Sequence, residues 1–220
     1  MKVLSLVLLL IVCTVLTSMG QSYELNDQQK LTGVSVMAFG PENVLFIGNS
    51  REAKIHAVKT EASLLTDPIP YNVEGFDQMT AEKLGLAPRE VIVTDMKIHP
   101  ISQEAYVAIR LGYQPDAKSV IAIVHPATRD IRFLEVNTSN SSSITLNNPA
   151  SSELVFWKET PASALTITDI DYNEGYVYVA GLTNSDFASN LRKIRYPFTD
   201  VQEAVNSVEI YHAVHTQNET

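Results

Sequence analysis

A hairpin written twice constrains this chain more than any other feature. Val93-Thr94-Asp95-Met96-Lys97-Ile98-His99-Pro100, followed by Glu104-Ala105-Tyr106-Val107-Ala108-Ile109, is matched by Ile167-Thr168-Asp169-Ile170-Asp171-Tyr172-Asn173-Glu174-Gly175, followed by Tyr176-Val177-Tyr178-Val179-Ala180-Gly181. Both open on a β-branched residue, then Thr-Asp, then an apolar residue. A weaker copy stands earlier, Val34-Ser35-Val36-Met37-Ala38-Phe39-Gly40-Pro41 with Asn43-Val44-Leu45-Phe46-Ile47-Gly48, and each copy runs on into a third strand-like segment, at 54–59, 119–124 and 190–196. Short β-branched and aromatic runs separated by Gly, Pro, Asn and Asp are the pattern of antiparallel strands and tight turns. A small twisted sheet cannot bury both of its faces alone, so a recurring unit of this kind stacks on its neighbours. The expected fold is all-β, a β-propeller with three blades and the start of a fourth at Ser207-Val208-Glu209-Ile210-Tyr211-His212. Propellers close with four to eight blades, so the ring is expected to be incomplete and the domain truncated at its C-terminus. A free-standing β-sandwich is the alternative.

Local signals refine this picture. The near-continuous apolar runs at 44–47 and 120–124 suit a sheet covered on both faces. One helix is expected, over 77–84, with Asp77 as cap, Met79, Ala81 and Leu84 on one face, and Gly85 and Pro88 as the stop. Twelve of the sixteen residues at 137–152 are Ser, Thr or Asn, the composition of a surface loop.

The amino end carries an address. Met1-Lys2, an apolar run over 3–16 and the small residues Ser18 and Gly20 read as a secretory signal peptide over 1–20, too short to span a bilayer comfortably. Residues 21–32 are then a lead-in and 33–220 the propeller domain. The protein is expected to be exported, to a periplasm or the extracellular space, with no stable membrane span after cleavage. The single cysteine, Cys13, leaves with the signal, which excludes thiol catalysis and Cys-rich metal sites and fits a bacterial export compartment. The sequons at Asn137, Asn140 and Asn218 read as chance. The net charge of −9, −10 once Lys2 is gone, offers no basic surface on which a phosphate backbone can release counterions, so nucleic acid is excluded as a partner.

Candidate chemistry is sparse. Thr94-Asp95 and Thr168-Asp169 occupy equivalent places in the innermost strands, so Asp95, Asp169, Thr94 and Thr168 are candidates to line a central channel, where repeated carboxylates hold a cation or act as an acid–base pair. The competing reading is that each Thr-Asp pair bonds to the backbone of the adjacent blade. His212 and His215, with Glu219 four residues on, form the one histidine cluster and are candidate ligands for a divalent metal. His212 and His215 point to opposite faces of an extended strand, so they share a metal only across a turn or a helical segment. Tyr172, Tyr176, Tyr178 and Trp157 form either a sugar-stacking platform or blade packing. Arg192, Lys193 and Arg195 read as a solvated strand surface. No phosphate loop, nucleophile elbow or His-Glu-x-x-His occurs.

Glu74-Gly75-Phe76-Asp77, Thr94-Asp95-Met96 with His99-Pro100, Thr168-Asp169-Ile170, Ala180-Gly181-Leu182, Phe187-Ala188-Ser189-Asn190-Leu191-Arg192, Tyr196-Pro197-Phe198, and Glu209-Ile210-Tyr211-His212 with His215 and Glu219-Thr220 together resemble a family of exported bacterial β-propeller proteins with no assigned function. The likeness covers most of 33–220. It implies a fold, an address and a chain that runs on past the Glu-Thr pair, and it implies no reaction. Two functional readings follow. One is a binding or interaction module for a protein, a saccharide or another small molecule. The other is an exported propeller enzyme, dependent on a divalent metal or a quinone, using His212, His215 and the channel acids.

Overall fold

Among the described residues there are sixteen strands and one α-helix, and the strands pair almost entirely with sequence neighbours. The computed structural model describes residues 23–65, 70, 72–156, 160–185 and 189–199, and the backbone of 203–207, 210–212 and 217–219. In chain order the elements are β1 (Val36–Phe39), β2 (Val44–Asn49), β3 (Lys54–Lys59), α1 (Phe76–Leu84), β4 (Val91–Ile98), β5 (Ala105–Leu111), β6 (Ser119–Val124), β7 (Ile131–Phe133), β8 (Ser141–Thr145), β9 (Val155–Phe156), β10 (Thr160–Pro161), β11 (Asp169–Asn173), β12 (Tyr176–Leu182), β13 (Ser189–Arg195), β14 (Glu203–Ser207), β15 (Ile210–His212) and β16 (Gln217–Glu219). Three four-stranded antiparallel sheets result: a first of order β1-β2-β3-β8, a second of order β4-β5-β6-β7 and a third of order β11-β12-β13-β14. Two-stranded ribbons β9-β10 and β15-β16 complete the set. No helix among the described residues is long and apolar enough to cross a membrane.

Side-chain alternation sets the stacking. Along β2, Val44 and Phe46 point into one apolar cluster, while Leu45 and Ile47 point into another. The first cluster joins the first sheet to Ile170, Val177, Val179 and Ile194 of the third. The second joins it to Tyr106, Ala108, Ile121 and Ile123 of the second sheet. Period-two geometry thus makes one continuous apolar strand serve two interfaces. On the far face of the second sheet, Val107, Ile109, Val120 and Ala122 meet α1 through Ala81, Phe76 and Leu84. The first sheet is therefore the middle layer, with β1 lying between β4 and β11. Burial of each such Phe, Ile or Leu stabilises the stack by roughly 1.5–3 kcal/mol.

Three local expectations are corrected. The run 137–152 is not all loop: β8 pairs with β3, Ile55 opposite Ile144 and Lys54 opposite Thr145. Ile144 and Leu146 alternate into the core while Ser142 and Ser143 face water, and backbone pairing asks nothing of a serine side chain beyond staying out of the way. The helix begins at Phe76 behind Gly75, which sits at φ 66° and makes no side-chain cap. Asp77 is therefore in the first turn, where a carboxylate suits the positive end of the helix dipole, and Met79 is turned outward. Finally, Ser207 ends β14 of the third sheet, and Ile210–His212 belongs to a separate ribbon.

Candidate functional site

The two Thr-Asp pairs flank β1, one on each side, and their environments differ. Thr94 is the extra residue of a β-bulge between Val93 and Asp95, a device that re-aims side chains locally. Its Oγ1 lies 3.2 Å from the Val34 carbonyl, and Asp95 Oδ2 accepts the Met37 amide at 2.6 Å. Asp95 Oδ1 accepts its neighbour's amide at Met96 and sits 3.6 Å from Lys97 Nζ. Asp95 is thus committed to clamping the second sheet onto the first. Asp169 is exposed and accepts only the Ile170 amide, at 2.9 Å, while Thr168 Oγ1 donates to Ala180 O within its own sheet. On that side Ser50 makes the inter-sheet link, donating to Ile167 O at 2.8 Å and accepting from Ile167 N at 3.1 Å. Among the described residues no three His, Cys, Asp or Glu side chains converge on a metal position.

The proposed metal ligands fall largely outside the described residues. His215 and the side chains of His212 and Glu219 are not among them. The backbone pairs His212 with Gln217 and Ile210 with Glu219. Trp157 also lies outside. Of the tyrosines, Tyr172 stacks on Phe46 at 5.6 Å and is packing, and Tyr176 carries Lys193 Nζ 3.9 Å above its ring. The basic run is not a solvated surface throughout: Arg192 is 1% exposed, because strand alternation turns it inward with Asn190 and Ile194.

The most elaborate polar arrangement contains none of the candidate residues named from the sequence. It lies between the first and second sheets, where the segment after β3 passes the start of β5 and the junction of β6 with β7. Two adjoining hollows of about 390 and 350 Å³ share Glu61 and Arg132. Arg132 grips Glu104 with both terminal nitrogens, Nη2 to Oε2 at 3.0 Å and Nη1 to Oε1, and Ser102 Oγ donates to Oε2 at 3.1 Å. Burial alone would push the Glu104 carboxyl up, but the Arg132 fork outweighs it and holds the group below the ordinary carboxylate value. The same fork holds the Arg132 guanidinium above its ordinary value. Ser63 and His125 line one hollow; Lys59, Thr60, Glu135 and Asn140 line the other.

His125 is set by a turn that occurs twice. In His125-Pro126 the imidazole Nδ1 accepts the amides of Ala127 and Thr128 at 3.2 and 3.3 Å. In His99-Pro100 it accepts those of Ile101 and Ser102, both at 3.1 Å. Both rings, when neutral, therefore carry their proton on Nε2. A neutral His125 offers the hollow a donor and has no free basic nitrogen, so it neither ligates a metal nor abstracts a proton without surrendering its turn. His99 is fully buried, against Phe39 at 4.7 Å, and burial holds its imidazole below the ordinary value. The cleft is rich in hydrogen-bonding groups: Glu104 is neutralised by Arg132, while Glu61, Glu135 and Lys59 add further charge to its lining. The sequence did carry one signal for it, the repeated His-Pro at the ends of β4 and β6.

No protein-family profile, curated protein or solved structure matches this chain.

Proposed function

We propose that this chain is an exported β-propeller protein that acts as a binding module, taking a small polar, hydroxyl-bearing ligand, a saccharide in the first instance, in the cleft around Arg132. What supports the propeller reading is the stacking of three four-stranded sheets with β4, β1 and β11 side by side, the relation that inner blade strands have to one another. Also consistent with it, Val177 and Val179 of the third sheet are buried while Tyr176, Tyr178 and Lys193 on the other face remain partly open, a face that a further blade would cover.

The observation that carries the binding reading is the cleft itself. Planar, fork-shaped polar groups (Arg132, Glu61, Glu135, Asn140) and the hydroxyls of Ser63 and Thr60 line two joined hollows, and such groups bridge adjacent hydroxyls on one ligand while its ring displaces poorly ordered water. The export reading rests on the apolar run at 3–16 and the small residues that follow it. Saturation-transfer NMR on the purified full chain, with maltose, cellobiose, chitobiose and lactose as probes, tests it. Transfer to at least one disaccharide, lost in Glu61→Gln or Asn140→Ala, is the expected result. Absence of transfer from all four, or transfer unchanged in both variants, overturns it.

A further inference from the structure

We infer that Arg192, Asn190 and Thr166 form a buried site for a small inorganic anion, a halide, between the first and third sheets. The starting observation is a charge without a counter-charge. Arg192 is 1% exposed and forms no ion pair with any carboxylate among the described residues. Its contacts are two long ones to carbonyls, Nη1 to Thr166 O and Nη2 to Asn147 O, both 3.4 Å. Its Nε is buried with no partner. Burial alone drives its guanidinium below the ordinary value, the direction expected when nothing compensates the charge.

The neighbouring polar groups are unpartnered as well. Both ends of the Asn190 amide, Oδ1 and Nδ2, and the Thr166 hydroxyl are buried without a hydrogen bond. These groups are in one place. Asn190 and Arg192 alternate along β13 and so share a face, which is the face of Val179 and Gly181 across the ladder. Thr166 lies on that face: a Cβ added to Gly181 would stand 2.1 Å from Thr166 O, and the same carbonyl receives Arg192 Nη1. Half of the eight unpartnered buried side-chain atoms among the described residues belong to these three side chains.

Such a cluster is costly if empty. Buried polar atoms in native proteins are almost always bonded, and a buried charge is paired. Water fills dipoles and leaves the net charge standing. A monovalent anion does both, taking donors from Arg192 Nε, Asn190 Nδ2 and Thr166 Oγ1. All three side chains are buried, which disfavours a large ligand, and an uncharged one does not answer the guanidinium. The occupant is therefore a halide, chloride where the protein lives.

The test uses thermal unfolding of the full chain at constant ionic strength, replacing sodium gluconate with sodium bromide up to about 100 mM. The wild type is expected to gain about 3–6 °C in Tm, saturably. Asn190→Asp places a carboxylate beside the guanidinium from within the chain, so it is expected to be stabilised in gluconate and to lose its response to bromide. That variant keeps the test informative should Arg192→Met fail to fold. Crystals grown in bromide are expected to show an anomalous peak within hydrogen-bonding reach of Arg192 Nε. An absent peak, a response to acetate without one to bromide, or an Asn190→Asp variant as bromide-sensitive as the wild type overturns the assignment.

Discussion

Replacing Arg132 by methionine should change the sign with which Glu104 responds to pH. Glu104 is 6% exposed and holds only Ser102 once the guanidinium is gone. Breaking a fully buried ion pair from one side costs about 3–5 kcal/mol, since a desolvated charge is left behind. Here the side chain of Arg132 is half-exposed, 51% against 8% for Glu104, so solvent replaces part of what it supplied and the cost falls to about 1–2 kcal/mol at pH 7. The pH dependence carries the reasoning. In the wild type the folded Glu104 titrates below its ordinary value, so its contribution is present above that value and is lost as pH falls through the folded one. In Arg132→Met burial remains, opposed only by Ser102 and His125; burial, the largest single influence, dominates, and the folded group is expected to titrate above its ordinary value. Protonation then favours the folded state, and the variant recovers as pH falls. Urea unfolding followed by far-UV circular dichroism between pH 8 and pH 4 measures the gap between the two proteins, in which pH effects common to both cancel. The gap should be widest at neutral pH and close toward pH 4. A gap that stays constant across this range refutes the account of Glu104 as a buried carboxylate held ionised by Arg132.

Three further outcomes follow from the same geometry. Asp95→Ala removes the acceptor of the Met37 amide and should lower stability by about 1.5–3 kcal/mol, the range for a bond to a charged group. Asp169→Ala at the equivalent position should stay within about 0.5 kcal/mol, and paired urea melts compare them. Gly181→Ala drives a Cβ against the Thr166 carbonyl, backbone that cannot rotate away, and should cost about 1–3 kcal/mol or more in a thermal melt. Because burial holds the folded His99 below its ordinary value, its contribution is complete above that value and is lost as pH falls from it toward the folded one. His99→Asn keeps a side-chain acceptor for the turn and does not titrate, so the fall in urea-measured stability from pH 7 to pH 5 should be shallower than in the wild type.

Much of the layering was written in the chain. Val44 to Ile47 and Val120 to Val124 lack polar interruption because each run feeds two interfaces, and this is visible as composition. The third strand of each hairpin could be read to within a residue. Which sheets touch could not be read in this way. A period-two pattern says that a residue faces an apolar layer and is silent on whose layer it is, so the sequence order of three hairpins gave no warning that the first would become the middle one.

The site illustrates the same limit from the side of chemistry. Repetition drew notice to Asp95 and Asp169, but a repeated residue type does a repeated job only if its neighbour repeats too. Asp95 faces the Met37 amide of β1, whereas on the other side of β1 the link is made by Ser50 and Ile167. The cleft around Arg132 depends on residues brought from 61, 104, 125 and 132, with no spacing in common, and only pairing in the second sheet and its contact with the first bring them together. The strand β8 shows where a weak signal did exist. Within its serines, Ile144 and Leu146 are two residues apart, the minimal alternation of a half-buried strand. Side-chain polarity argued for a loop and periodicity for a strand, and periodicity prevailed because β3 presented an unpaired backbone edge that serines satisfy as well as valines do.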